Sequence, residues 1–160
     1  MTDQASSEPD DRPGVLVLPP LLYFGALILG LLLNWKFPMP LPVPTWLRWA
    51  AAATAIGGLA LGGVARAQFS KAGTNANPMK PATAIVRAGV FGLTRNPMYV
   101  GMAIIFLALA FVTRAGWLLI LLVPVLAIMH WGVVLREERY LTRKFGAEYL
   151  SYCAVVRRYF

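Results

Sequence analysis

The sequence predicts an all-α integral membrane protein with about four transmembrane helices, and three observations carry that prediction. Apolar residues gather into four long segments separated by polar stretches. The chain is 58% hydrophobic with a mean hydropathy of +0.61, high for a soluble domain and ordinary for a membrane protein. Its formal net charge of +8 falls mainly beside and after the apolar segments. In a soluble chain such a charge would point to nucleic acid. Here it reads as charge flanking a membrane, so membrane lipids are the expected partner and nucleic acid is not.

The elements follow in order. Residues 1–14 are polar and acidic, with Asp3, Glu8, Asp10 and Asp11 against Arg12, and read as a disordered tail. They lack the basic start of a secretory signal, and no clear cleavage site follows the next segment, so that segment is expected to be retained. Residues 15–160 are expected to form a single domain. The first apolar segment runs from Val15 to Leu33 and carries Pro19 and Pro20 near its start. The second, Trp46 to Ala65, is rich in Ala and Gly, and its Gly58 and Gly62 are spaced to let another helix backbone come close. The third, Met98 to Thr113, is somewhat short for the ~20 residues of a full span. The fourth, Trp117 to Val134, contains Pro124, where a kink is expected.

Only Arg114, Ala115 and Gly116 separate Thr113 from Trp117, so the third and fourth helices are expected to form an antiparallel hairpin. Past the fourth segment, Val134, Leu141 and Phe145 recur at helical spacing and predict a helical extension beyond the membrane. Gly146 is a natural stop. A second short helix from Ala147 would place Tyr149, Tyr152 and Val156 on one face, where it can fold back as a lid. The single Cys153 rules out an intramolecular disulfide.

Several polar groups stand at the membrane exits. Arg95-Asn96-Pro97 opens the third helix. The residue before proline is pushed out of the helical region and proline suits a first turn, so Asn96 is expected as an N-cap. The helix N-terminus with Arg95 can hold a carboxylate or phosphate; a plain cap beside a headgroup-binding arginine is the other reading. Glu137 and Glu138 lie where the fourth helix leaves the bilayer, and unpaired carboxylates are costly there. They can hold ligand hydroxyl and ammonium groups, or pair with nearby arginines as a solvated helix end. His130 precedes Glu137 by seven residues and would share its α-helical face. As an imidazole it can act as a base or simply satisfy a bundle contact. With one His and one Cys, no metal site is expected. The stretch from Ser70 to Leu93 is long for a helix connection and reads as a lid, a substrate entrance, or a basic loop on anionic lipid.

The run Arg95-Asn96-Pro97-Met98-Tyr99-Val100-Gly101, the Glu137-Glu138 pair, the run Phe145-Gly146-Ala147-Glu148-Tyr149 and the trailing Tyr152 and Arg157 resemble the isoprenylcysteine carboxyl methyltransferase and phospholipid methyltransferase superfamily. The resemblance covers Phe69 to Arg158. That family more often has His at the position of Asn96. The resemblance implies S-adenosylmethionine bound on the cytoplasmic side by the third and fourth helices and the C-terminal segment. By matching positions, Arg95, Asn96, Pro97, Tyr99 and Gly101 would line the mouth of the cofactor pocket. Glu137 and Glu138 would face it from the other side, and Tyr149, Tyr152 and Arg157 would close it. His130, Glu138 and Arg95 are the catalytic candidates. The implied acceptor is lipid-like or prenylated and enters from the bilayer, either an isoprenylcysteine-type carboxylate or a phospholipid-type amine. Two other readings stay open: a nicotinamide-dependent membrane reductase of the sterol reductase type, and a non-enzymatic small membrane subunit.

Charge sets the expected orientation. The stretch between the second and third segments carries Arg66, Lys71, Lys80, Arg87 and Arg95 and no acid, and the tail carries Arg136, Arg139, Arg143, Lys144, Arg157 and Arg158. The opposite side has Lys36, Arg48 and Arg114. The positive-inside rule then makes both termini cytoplasmic, in a protein of the bacterial inner membrane. A topology reporter fused after Phe160 is expected to behave as cytoplasmic, and one inserted between Pro38 and Pro44 as external. The reverse pattern would overturn the orientation.

Overall fold

A computed structural model describes residues 11–159. Six α-helices account for most of them: α1 Pro19–Lys36, α2 Thr45–Lys71, α3 Pro97–Thr113, α4 Gly116–Ile128, α5 Leu135–Phe145 and α6 Ala147–Val155. A 3₁₀ turn, Gly89–Gly92, precedes α3, and a π-helical turn, Met129–Val134, joins α4 to α5 without a break. Among the described residues there is no β-strand, only a single bridge between Pro40 and Ala115. The protein is an all-α integral membrane protein. Pro19–Lys36, Thr45–Lys71 and the continuous Gly116–Phe145 helix are long and apolar enough to cross a bilayer. The 17 residues of α3 span about 25 Å at 1.5 Å per residue, slightly less than the ~30 Å hydrocarbon core.

Sequence chemistry explains the boundaries. Prolines occupy the first turns of α1 and α3, where a missing N–H costs nothing. The α3–α4 turn closes on Arg114 in the left-handed region at φ 59°. Gly146, at φ 53°, ends α5 and opens α6 at the expected place. The second helix extends past the expected Ala65 to Lys71, beyond the apolar segment. Pro124 lies within α4, and a π turn follows that helix at Met129–Val134.

The hairpin of α3 and α4 forms, but the most extensive packing is between α2 and α3, with α1 lying against α4. At the α2–α3 crossing the small residues act as the sequence indicates. A Cβ added to Gly58 would lie 2.8 Å from the Gly101 carbonyl oxygen, and one added to Gly101 would lie 2.7 Å from that of Gly58. Both contacts are to backbone, which cannot swing away. The Cβ position of Gly62, by contrast, is open.

Tyr23, Phe106, Leu118, Val125, Met129 and Val133 form the core between α1, α3 and α4. Leu32, Ile56, Leu59 and Val123 stand exposed, as lipid-facing side chains do in the absence of lipid. At the far end, Leu41 N–H donates to the Arg114 carbonyl at 3.0 Å and Gly116 N–H to that of Met39 at 2.9 Å. The α1–α2 connection and the α3–α4 turn are thus tied at one end of the bundle. Exposed Trp35, Trp46 and Trp49 on the flanking helix ends have the chemistry of an interfacial aromatic belt.

The α2–α3 contact generates a stability test. Gly58→Ala is expected to destabilise the bundle by about 1–3 kcal/mol, the range for overpacking. Gly57→Ala, whose added Cβ would meet nothing within 4 Å, is expected to be neutral. Thermal unfolding in detergent measures both, and equal midpoints would contradict the close approach.

Candidate active site

The site begins with the three residues that precede α3. Asn96 takes the N-cap position, but its side chain makes no capping bond. Its Nδ2 instead donates to the Arg158 carbonyl at 3.0 Å, and Thr94 Oγ1 donates to the same oxygen at 3.0 Å. Arg95 N–H donates to the Arg157 carbonyl at 3.0 Å. The expected cap is replaced because the chain after α6 runs beside this loop and supplies acceptors.

Tyr99 lies in the first turn of α3, and the two carboxylates lie in the first turn of α5. Adjacent residues on a helix point about 100° apart, so they take different partners. Glu137 accepts a hydrogen bond from the Tyr99 hydroxyl at 2.8 Å. Glu138 is gripped by Arg158 through a fork, Nε to Oε1 at 2.9 Å and Nη2 to Oε2 at 2.7 Å. Arg95 Nη1 adds an ion pair to Oε1 at 3.1 Å, with the Glu138 side chain only 15% exposed. Arg95 Nη1 also donates to Cys153 Sγ at 2.6 Å, while its buried Nε has no partner. Two guanidiniums against one carboxylate leave this cluster with a net positive charge.

From α6, Tyr149 and Tyr152 are buried beneath the cluster. Tyr152 donates its hydroxyl to the Phe91 carbonyl at 2.6 Å, and burial pushes its phenol up to about 12. Burial also raises Tyr149, and the nearby Glu138 charge raises it further. Both phenols therefore remain protonated at neutral pH. Arg87 fastens α6 from outside through Glu148, at 3.1 Å to the carboxylate and 2.7 Å to the carbonyl.

Arg95, Asn96, Tyr99, Glu137, Glu138, Tyr149 and Tyr152 line a cleft of about 850 Å³, its open mouth included. Its apolar walls include Phe69, Val86, Phe91 and Leu141. The long stretch after α2 forms another wall through Thr74 to Pro78 and Lys80. That wall is held by Thr83 N–H to Thr74 Oγ1 at 3.0 Å, Asn75 Nδ2 to the Pro81 carbonyl at 2.8 Å, and Ala82 N–H to the Tyr140 hydroxyl at 3.1 Å. Of the tail expected to be disordered, residues 1–10 lie outside the described residues. Asp11 accepts from the Tyr140 hydroxyl at 3.0 Å and pairs with Lys144 at 2.7 Å, and Pro13 borders the cleft.

Of the residues singled out in the sequence, Arg95, Asn96, Pro97, Tyr99, Glu137, Glu138, Tyr149 and Tyr152 converge on the cleft. Three do not. Gly101 faces Gly58, where it sets helix spacing. Arg157 contributes its backbone carbonyl, and its side chain is exposed. His130 meets the Tyr159 hydroxyl through Nδ1 at 2.9 Å. The seven-residue spacing that would align His130 with Glu137 runs through the π turn, and the two side chains go to different partners. Sequence reasoning missed Arg158, Cys153 and Tyr140. The adjacent arginines near the C-terminus were the signal for Arg158, but sequence alone does not say which of them turns inward. Among the described residues, no three His, Cys, Asp or Glu side chains converge as metal ligands.

The family of the chain follows from the segment that builds this cleft. Residues 46–148 match the family model for phospholipid methyltransferase. The match takes in α2 through α5, and with them Arg95, Tyr99 and both carboxylates. Neither a curated protein nor a solved structure matches the chain significantly. A match over well more than half of the chain, centred on the helices that position the polar cleft, makes this protein a member of the phospholipid methyltransferase family, within the superfamily of integral-membrane methyltransferases.

Proposed function

We propose that the protein transfers a methyl group from S-adenosylmethionine to a lipid-like acceptor dissolved in the membrane. The observation that carries this reading is a cleft that joins a carboxylate pair, a partly unpartnered arginine and apolar walls at the ends of two membrane helices. The donor set suits the chemistry of that cofactor, which presents an ammonium, a sulfonium, ribose hydroxyls, a carboxylate and a flat base. Glu137 and Glu138 would accept from the first groups. The Arg95 guanidinium, which borders the cleft, matches a carboxylate. Phe69 and Phe91, whose ring centroids lie 4.6 Å apart, offer an aromatic wall for the base. When bound, the cofactor supplies an electrophilic methyl carbon.

The chain's own task is to orient and to exclude water. Displacement at a sulfonium consumes positive charge, so alignment of donor and acceptor and a dry surrounding are the main requirements. Tyr99 fixes Glu137, Arg95 and Arg158 fix Glu138, and α6 with the Thr74–Lys80 wall encloses the cleft. A carboxylate acceptor needs no base. An amine acceptor must lose a proton, and Glu137, which lines the cleft, is better placed to take it than His130, which does not. The site's position at the ends of α3 and α4–α5 supports entry of the acceptor from the bilayer. The family match supports this reading over a nicotinamide-dependent reductase or a non-enzymatic subunit.

Two measurements test the proposal. In calorimetry on the detergent-solubilised protein, S-adenosylmethionine and its demethylated product are expected to bind and NADPH is not. Glu138→Gln is expected to weaken S-adenosylmethionine binding ten- to a hundred-fold, the equivalent of about 1.5–3 kcal/mol for a charge-assisted hydrogen bond. If Glu137→Gln and Glu138→Gln both bind like the parent, the carboxylates play no part in holding the donor. For the acceptor, adding a prenyl or acyl chain to a small acceptor molecule is expected to raise turnover. Equal turnover of the short water-soluble analogue would argue against a membrane-dissolved substrate.

A further inference from the structure

The charged centre of the cleft is completed by a residue outside the segment that matches the family. Arg158 follows α6 and lies ten residues beyond the match, which ends at Glu148. Its guanidinium takes both oxygens of Glu138, and its carbonyl takes two donors from the loop before α3, Thr94 Oγ1 and Asn96 Nδ2. The residues on either side are pinned as well: the Arg157 carbonyl by Arg95 N–H, and the Tyr159 hydroxyl by His130. One residue is therefore held at its backbone by the start of α3 and at its side chain by α5. It is a strut between the two elements that carry the cleft's opposing charges.

We propose that Arg158 is the positioning residue of the donor site, acting through Glu138 to fix that carboxylate and to leave Arg95 available to a ligand. The proposal rests on the reading of the cleft as a methyl-donor site.

Division of labour between the two arginines supports it. Arg95 Nη1 is already shared between Glu138 Oε1 and Cys153 Sγ, and Arg95 Nε is buried without a partner. A carboxylate opposed by Arg95 alone would draw that whole guanidinium towards itself. With the Arg158 fork on both carboxylate oxygens, Glu138 is satisfied without the Arg95 Nε–H. The fork also fixes the plane of the carboxylate, which a point charge does not do, because a guanidinium presents parallel N–H groups in rigid geometry. Lysine at this position would keep the charge and lose the orientation.

The experiment compares Arg158→Gln, Arg158→Lys, Glu138→Gln and the double variant Glu138→Gln/Arg158→Gln in the full chain. Arg143→Gln, on the exposed side of α5, controls for surface charge. S-Adenosylmethionine binding is read by calorimetry. Amide hydrogen exchange over residues 94–100 is read without ligand. Arg158→Gln is expected to weaken binding on the order of tenfold or more, and Arg158→Lys to recover only part of the loss. The double variant is expected to bind like Glu138→Gln alone, because a residue that acts through Glu138 has nothing left to act on. Exchange at the Arg95 amide is expected to quicken in Arg158→Gln and not in Arg143→Gln. Parent-like binding by Arg158→Gln, or losses that simply add in the double variant, would overturn the proposal. If the parent itself does not bind S-adenosylmethionine, the donor-site reading fails. The strut is then decided by exchange alone, which supports it if residues 94–100 loosen in Arg158→Gln and refutes it if they do not.

Discussion

A carboxylate placed at the edge of a bilayer has to be neutralised, and here the neutralisation organises the structure. Glu138 stands where a long apolar helix leaves the membrane, and it is mostly buried. Removing an ion from water costs several kcal/mol unless close partners replace the lost hydration. Arg95 comes from the loop before α3 and Arg158 from the segment after α6. Three stretches far apart in sequence are drawn to one point, and the cleft is the space they enclose. Removing Glu138 leaves two guanidiniums facing each other, and removing either arginine leaves the carboxylate with one charged partner in place of two, so the cluster behaves as a unit.

That convergence depends on a second constraint deeper in the bundle. Helices in lipid gain little from the hydrophobic effect when they associate, and close backbone approach has to supply the attraction. Gly58 and Gly101 permit it between α2 and α3. The close crossing holds α3 against α2, and Tyr99 in the first turn of α3 bonds Glu137. Gly101 thus serves the site indirectly: it sits two residues beyond Tyr99, which lines the cleft, and lets α3 lie close against α2.

The elements most legible in the sequence were those written in hydropathy and backbone chemistry. Four apolar segments, prolines at helix starts and Gly146 between α5 and α6 all appear close to where the pattern puts them. The polar residues that line the cleft were also legible, because charge at a membrane exit is conspicuous. What escaped were relations between distant side chains. Asn96 has the composition of a cap, yet its amide is drawn to a carbonyl sixty-two residues away. Arg157 and Arg158 are equivalent by composition, and only the course of the chain after α6 decides which one faces Glu138. Tyr140 looks like part of an ordinary charged helix, and its hydroxyl joins the cleft wall to Asp11.

The π turn at Met129–Val134 was equally invisible, since its residues are as apolar as their neighbours. Such a turn accommodates more residues per revolution than an α-helix, so it sets the rotational phase of everything downstream. Wound as uniform α-helix, the same residues would carry the extra residue that the π turn absorbs into the downstream register and turn α5 by about 100° about its axis. The segment would remain just as hydrophobic and would cross the bilayer as well as before. Its two glutamates, however, would swing away from Tyr99, Arg95 and Arg158. Insertion into the membrane tolerates any phase of this helix, whereas the cleft admits one, and that phase is stored in a short stretch of irregular winding.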